Sequence, residues 1–266
     1  MASCPDVAPE CATIPIPDHR HHVTLDLYHT ELLADYGATP GLTLSLRLPF
    51  DVKDQTVRYT TLDGQPFVPP YGDIHHRTET LHGLTDGQLT ALFPVGGSFL
   101  VGAGVSIPWG RTEPNPIVLG REGKKHEHIQ FGSGTVDPIV SAVWSRPLGR
   151  VSLYAAADAQ FPLYENRHGF RAPVTVRYAA GPAVAFGTTG VSLQFAGQYQ
   201  SIGRWDGEQD EGTGFHNGGL FLRASFLPWK GFRVYPGVYR ELYSRSLSDE
   251  TFHQGMTYSL TVSRFF

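Results

Sequence analysis

The sequence has no window approaching the roughly eighteen consecutive apolar residues that a spanning helix requires. A helical anchor is therefore excluded, and any place in a bilayer would have to be taken by a closed β-barrel. It also has no excess of basic charge, with 21 Lys and Arg against 25 Asp and Glu, a net charge of -4 and a pI near 6.3. The electrostatic footprint of a nucleic-acid binder is missing, so nucleic acid is not expected as a partner. The two cysteines, Cys4 and Cys11, are too few for a disulfide scaffold. One bridge in an oxidising compartment and two idle thiols in an N-terminal tail both remain open. No GxSxG elbow, phosphate-binding GxxxxGK[ST] loop, dinucleotide fingerprint, HExxH or CxxC occurs, so no catalytic signature is present and an enzyme is not expected.

What is abundant is alternation. In residues 191–200, Val191, Leu193, Phe195 and Tyr199 alternate with Ser192, Gln194, Gln198 and Gln200. Residues 42–50, 151–161 and 174–184 repeat the pattern, which places apolar side chains on one face of a strand and polar ones on the other. Weaker segments fall at 22–32, 84–93, 98–107, 134–145, 218–227, 231–243 and 255–266. Connections sort into tight ones (Asp35 to Gly41, Pro94 to Gly97, Pro147 to Gly149, Gly187 to Gly190, Trp229 to Gly231) and long polar ones (61–82, 108–130, 163–172, 202–214, 245–254). The two classes alternate strictly. Short turns at one rim and long loops at the other are the asymmetry of outer-membrane barrels.

Aromatic side chains agree with that reading. Phe93, Phe99, Trp144, Phe186, Trp229 and Phe232 gather at the short-turn rim, and Trp109, Phe161, Tyr199 and Tyr243 toward the other. Two such girdles suit the two interfaces of a bilayer. At the chain end Met256, Tyr258, Leu260, Val262 and Phe266 share one parity, interrupted by Arg264. A terminal Phe266 resembles the signal read by the barrel assembly machinery. The expected fold is all-β: a transmembrane antiparallel up-and-down barrel of about twelve strands over residues 22–266. Residues 1–21 form a segment that plugs the lumen, adds an edge strand or stays disordered. The eleven strands that can be read leave a twelfth to be written poorly in the sequence, because such barrels have even strand numbers. The expected location is the bacterial outer membrane, with its lipid as a partner. Its export signal has been removed or lies upstream of Met1.

The alternation assigns Asp26, Arg47, Asp86, Asp137, Asp158, Arg177, Arg223, Arg233 and Glu241, with Gln194 and Gln198, to the lumen face. Charges on the lipid face would cost a few kcal/mol each near the midplane. Inside, they either brace the wall as ion pairs or select a solute. Twelve histidines form clusters: His19, His21 and His22 before the first strand, His75 and His76 in the first long loop, and His126 and His128 in the second. Imidazoles at alternate positions of an extended chain suit Zn or Cu, although no single cluster completes a tetrahedral site. No other cofactor is called for. The leading expectation is a channel or transporter for small solutes, hydrophobic or aromatic compounds among them, through a mixed-charge lumen. One alternative is a metal-binding surface protein that uses the same barrel. A second, a soluble lipocalin-like binding protein, would have to bury faces rich in Ser, Thr, Gln and charge, which make a poor core.

Three passages are familiar as a set: Gly83-Leu84-Thr85-Asp86-Gly87-Gln88-Leu89, Gly102-Ala103-Gly104-Val105-Ser106-Ile107-Pro108-Trp109-Gly110, and Phe131-Gly132-Ser133-Gly134-Thr135-Val136-Asp137-Pro138. With Phe266 they resemble the outer-membrane proteins of the phenol-degradation meta-pathway family, distant relatives of fatty-acid and aromatic-hydrocarbon transporters. The likeness runs over roughly residues 40–266. It implies a barrel channel for small, often hydrophobic compounds, and it aligns Asp86 and Asp137 with acidic positions of two glycine-rich motifs. Thr85 stands where that family more often has glycine. An Asp beside Gly at such a place can accept backbone hydrogen bonds in a turn or bulge.

Overall fold

A computed structural model describes residues 17–69, 77–210, 212–229, 231–248 and 253–266. The alternating segments pair with their sequence neighbours into one curled antiparallel sheet. It opens with a long hairpin, β1 (His19–Thr39) and β2 (Leu42–Thr61). The partner of β2 is broken in two: β3 (Glu79–Leu84) pairs its upper half and β4 (Gly87–Val95) its lower half. The wall continues through β5 (Phe99–Ile107), then a loop holding the short helix α1 (Pro116–Arg121), then β6 (Pro138–Leu148) and β7 (Val151–Gln160). A second, three-stranded sheet forms in the loops from β8 (Phe170–Arg171) with β11 (Gly203–Trp205) and β12 (Glu208–Asp210). The remaining wall strands are β9 (Thr175–Phe186), β10 (Thr189–Gln200), β13 (Phe215–Trp229), β14 (Phe232–Ser246) and β15 (Thr257–Arg264).

The β3–β4 pair counts as one interrupted strand, so the path from β1 to β15 has eleven members rather than the twelve expected. With an odd count, β1 and β15 both run from the long-loop rim to the short-turn rim. Among the described residues no ladder joins them. An antiparallel closure takes one further strand, and residues 1–16, where the sequence would supply it, lie outside the described residues. β1 begins at His19 rather than at residue 22, so His19 and His21 belong to the sheet.

The first hairpin is nearly twice as long as the alternation suggested. A tilted strand of about ten residues crosses a bilayer, whereas the β1–β2 register continues unbroken from Tyr36↔Leu44 up to His19↔Thr61. In the upper part of β2 polar groups lie on both faces, which erases the period-two signal, whereas on β1 the alternation of Val23, Leu25 and Leu27 with Thr24 and Asp26 persists with its apolar side chains on the parity of His29 and Glu31. Asp26 illustrates this. It was expected in the lumen, but it lies opposite Asp54 and shares the parity of Tyr28 and Leu32, on the face away from His29 and Glu31. High on the hairpin, above an apolar belt, an outward carboxylate stays hydrated at little cost.

There is almost no conventional core. Phe131, Ile139, Phe170 and Trp205 are the buried apolar side chains among the described residues, all at the long-loop end. The outward rows, including Leu44, Leu89, Val101, Leu193, Leu222 and Leu260, are exposed. A sandwich or lipocalin-like protein would bury such rows; a sheet surrounded by lipid would present them. Near the long-loop rim Tyr178 Oη, Tyr243 Oη and His216 Nε2 lie 2.9 Å from one another on this outer face.

Candidate functional site: a loop-narrowed lumen

The inward parity of the wall brings distant strands around one cavity of about 470 Å³. His29 and Glu31 of β1, Arg47 of β2, Gln88 of β4, Gln160 of β7, Arg177 of β9 and Gln198 of β10 all line it. Residues from both ends of this ordering share one space only because the sheet curls. Of the expected lumen residues, Arg47, Asp86, Arg177 and Gln198 line the cavity directly. Asp158 reaches it through Arg177, whose Nε and Nη2 both donate to Asp158 Oδ2 at 2.9 and 2.7 Å. Gln194, Arg223 and Arg233 share the inward parity, away from the cavity's lining. Glu241 sits toward the upper rim, accepting from Gln254 N at 3.0 Å.

The β5–β6 loop narrows this space from within, and Asp86 is its anchor. The carboxylate occupies the break between β3 and β4, where it accepts Gly110 N–H at 3.0 Å, Ser133 N–H at 2.6 Å and Ser133 Oγ–H at 2.8 Å. The two ends of the loop cross at Gly110 and Gly132; a Cβ on Gly110 would come within 2.6 Å of Gly132 Cα, so only glycine lets the strands of the loop touch. Further ties follow. Lys53 Nζ donates to Gln130 O at 2.9 Å, and Asn166 Nδ2 to Ser133 O at 2.9 Å. The result is that Gln130, Phe131, Gly132 and Ser133 line the cavity. The Phe131 ring is flanked by Lys53 Nζ at 4.4 Å and the Arg111 guanidinium at 5.4 Å.

Asp137 is a correction to its assignment as a solute-facing group. It is 0% exposed; Thr135 Oγ1 donates to its Oδ1 at 2.6 Å and Gln160 Nε2 to its Oδ2 at 2.9 Å. Its own N–H donates to Ser106 Oγ at 3.0 Å. β6 accordingly starts at Pro138 rather than near residue 134, because residues 131–137 form this compact knot instead of continuing the ladder. Of the two motif aspartates, Asp86 thus holds backbone in place, whereas the Asp137 carboxylate is held by two side chains.

Two further ties lie above the wall. Arg77 donates to His126 O at 2.9 Å and bridges Glu79 (2.7 Å) and Glu127 (2.9 Å). Burial, then the hydrogen bond and charge of Glu79, push the Glu127 carboxyl up to about 7. Burial holds the His126 imidazole below its ordinary range. The small loop sheet turns at Asp206-Gly207, both at positive φ (49° and 84°). Trp205, 1% exposed, packs on Phe170 at 4.6 Å between ring centroids and donates Nε1–H to Asp210 at 3.1 Å. It meets the β5–β6 loop through Asn115 Nδ2, which donates to Asp206 at 2.7 Å. Sequence reading missed this sheet, although Asp-Gly between short β-formers is a hairpin signal.

Histidine placement is mixed. His19 and His21 bring their Nε2 atoms to 3.0 Å, whereas His22 turns to the other face and meets Thr60 Oγ1 at 2.9 Å. The His126 and His128 rings lie 5.1 Å apart. His75 and His76 lie outside the described residues. Among the described residues no group of three or more His, Cys, Asp or Glu side chains is arranged to hold a metal ion. His29, which the sequence reading did not single out, lines the cavity and bonds Asp51 at 2.7 Å.

The fold is that of a known membrane barrel. The chain superposes on the COG4313 outer membrane channel from Pseudomonas putida F1 with a TM-score of 0.58, covering 90% of this chain and 82% of that one at 14% identity. No protein-family model matches the sequence, and no curated protein matches it.

Proposed function

We propose that the protein is a channel of the bacterial outer membrane that passes small solutes and catalyses no reaction. The observation that carries this reading is the cavity itself. Polar side chains from β1 to β10 surround one water-accessible space, while the opposite face of the same strands is an exposed apolar belt. That division is what a lipid-embedded, hydrated barrel requires. The shared fold with an outer membrane channel supports it. Solutes enter past the His-bearing loops and cross where the β5–β6 loop narrows the lumen. The three glycine-rich passages extend the reading toward the phenol-degradation meta-pathway family and so toward compounds with an apolar body. Phe266 would present the chain end to the barrel assembly machinery.

The test is solute efflux from liposomes carrying the refolded barrel, scored against protein-free liposomes. Size-limited release of small solutes is expected. Tight vesicles containing protein that is fully protected from protease would refute a channel.

A metal-binding role for the upper hairpin is a second reading, favoured by the 3.0 Å approach of His19 and His21 Nε2. Two imidazoles so placed could share one Zn or Cu ion. Calorimetric titration with each ion should then show a site lost in His19→Ala; no heat above dilution would remove the reading.

A further inference from the structure

From the cavity's lining at Arg47 toward the short-turn rim, the inward side chains carry charges that do not balance. Asp158 is engaged by Arg177, so neither offers an unmatched charge. Toward the short-turn rim the inward positions hold Arg47 on β2, Arg223 on β13 and Arg233 on β14, and the inward carboxylate at that level is Asp35, across from Ser45. Arg47 only approaches Glu31, at 3.9 Å. Among the described residues neither Arg223 nor Arg233 has a carboxylate within 4.0 Å. Tyr154 of β7, opposite Gly181, shares this inward parity.

The rest of that level is aromatic. The Arg223 guanidinium stacks 4.4 Å over the Tyr235 ring. Phe221 shares the inward parity and lies against Gly237, where a Cβ would come within 2.7 Å of its ring. Tyr239 Oη on the same strand is buried without a hydrogen-bond partner. Guanidinium groups beside aromatic faces and a spare hydroxyl donor form a surface for a carboxylate joined to a flat apolar body.

We infer that the lumen waist formed by Arg47, Arg223, Tyr154, Tyr235 and Phe221 selects small organic anions, carboxylates with an apolar body, over cations of similar size. The inference rests on the channel reading and adds the class of solute. In a narrow lumen, one unmatched unit charge about 8 Å from the permeating ion, at an effective dielectric constant of about 40, shifts its local concentration about fivefold.

The test is the reversal potential of the reconstituted full chain in a planar bilayer under a KCl gradient. Potassium benzoate and benzylammonium chloride then replace KCl. A chloride-to-potassium permeability ratio of about five or more, with benzoate carrying current or blocking and benzylammonium doing neither, is expected. Arg47→Ser and Arg223→Ser should each lower the ratio severalfold, while Arg146→Ser, on the outward parity of β6, should leave it unchanged. A ratio at or below one with clear conductance overturns the anion inference alone. Inserted barrels that never conduct overturn the channel reading and the inference with it. If a variant inserts poorly, partial block of wild-type current by benzoate at constant ionic strength is the second readout, and indifference to benzoate counts against the proposal.

Discussion

Asp86→Ala should free the β5–β6 loop from the wall and widen the lumen. The carboxylate accepts three hydrogen bonds, two of them from backbone N–H groups of the loop. Hydrogen bonds to a charged group contribute about 1.5–3 kcal/mol each, but three that form and break together are not additive. The loop also keeps its ties to Lys53 and Asn166. A net loss of about 3 kcal/mol is a reasonable central value, which raises the ratio of undocked to docked loop about a hundredfold. Single-channel recording should then show larger or noisier conductance in Asp86→Ala, with Asp86→Asn intermediate because an amide oxygen still accepts. Heat-modifiable migration in gels should persist, since the strand ladders are untouched. Unchanged conductance and open-channel noise in a correctly inserted Asp86→Ala barrel would refute the assignment of this loop as the constriction.

Other outcomes follow from the same geometry. Glu127 has its folded value raised from an ordinary 4.5 to about 7, so the docked loop favours the protonated carboxyl. That stabilisation is complete below pH of about 4.5 and is lost as pH rises through about 7, and Glu127→Gln should flatten the pH dependence of amide exchange in residues 126–133. Trp205→Ala removes a buried ring at a cost of about 3–5 kcal/mol. Because the loop sheet is separate from the wall, limited proteolysis should open residues 202–214 while the barrel core survives; a lost barrel would contradict that independence. Asp158→Asn breaks an ion pair whose side chains are 28% and 39% exposed, so thermal stability should fall by no more than about 1 kcal/mol. Leu193→Arg places a charge in the apolar belt and should cost about 2–4 kcal/mol in lipid, measured as a shift in folding into vesicles; no shift would remove Leu193 from the belt.

The wall was legible in the sequence wherever one face is a row of exposed apolar side chains and the other is polar. Segments such as 191–200 and 151–161 kept their parity, and the tight turns fell between them. Legibility failed where both faces are wet. The upper half of β2 carries polar groups on either side, so its length left no periodic trace, and on β1 the alternation is inverted: Val23, Leu25 and Leu27 take the inward parity and Asp26 turns outward. It failed again where tertiary contact overrides pattern: residues 134–137 were read as the start of a strand, yet the bonds of Ser133 to Asp86 and Asn166 and of Asp137 to Ser106 and Gln160 draw them into a knot. The lumen set was mostly readable because Arg47, Asp158, Arg177 and Gln198 sit in clean alternation. Phe131 and Gln130 were not, because their position depends on a loop folding inward, which local composition does not encode. The Asp206-Gly207 hairpin carried a usable turn signal that the surrounding polar run obscured.

The central claim, lipid outside and water inside, is tested most directly by single-cysteine scanning along residues 190–200 of β10 in a background with Cys4 and Cys11 replaced by Ser. Each variant, folded into liposomes, is labelled with a membrane-impermeant maleimide and, separately, with a lipid-soluble thiol probe. The account predicts strict alternation: cysteines at Ser192, Gln194 and Gln198 react with the aqueous reagent, and those at Val191, Leu193 and Phe195 with the lipid-soluble one. Uniform aqueous labelling at both parities would contradict it.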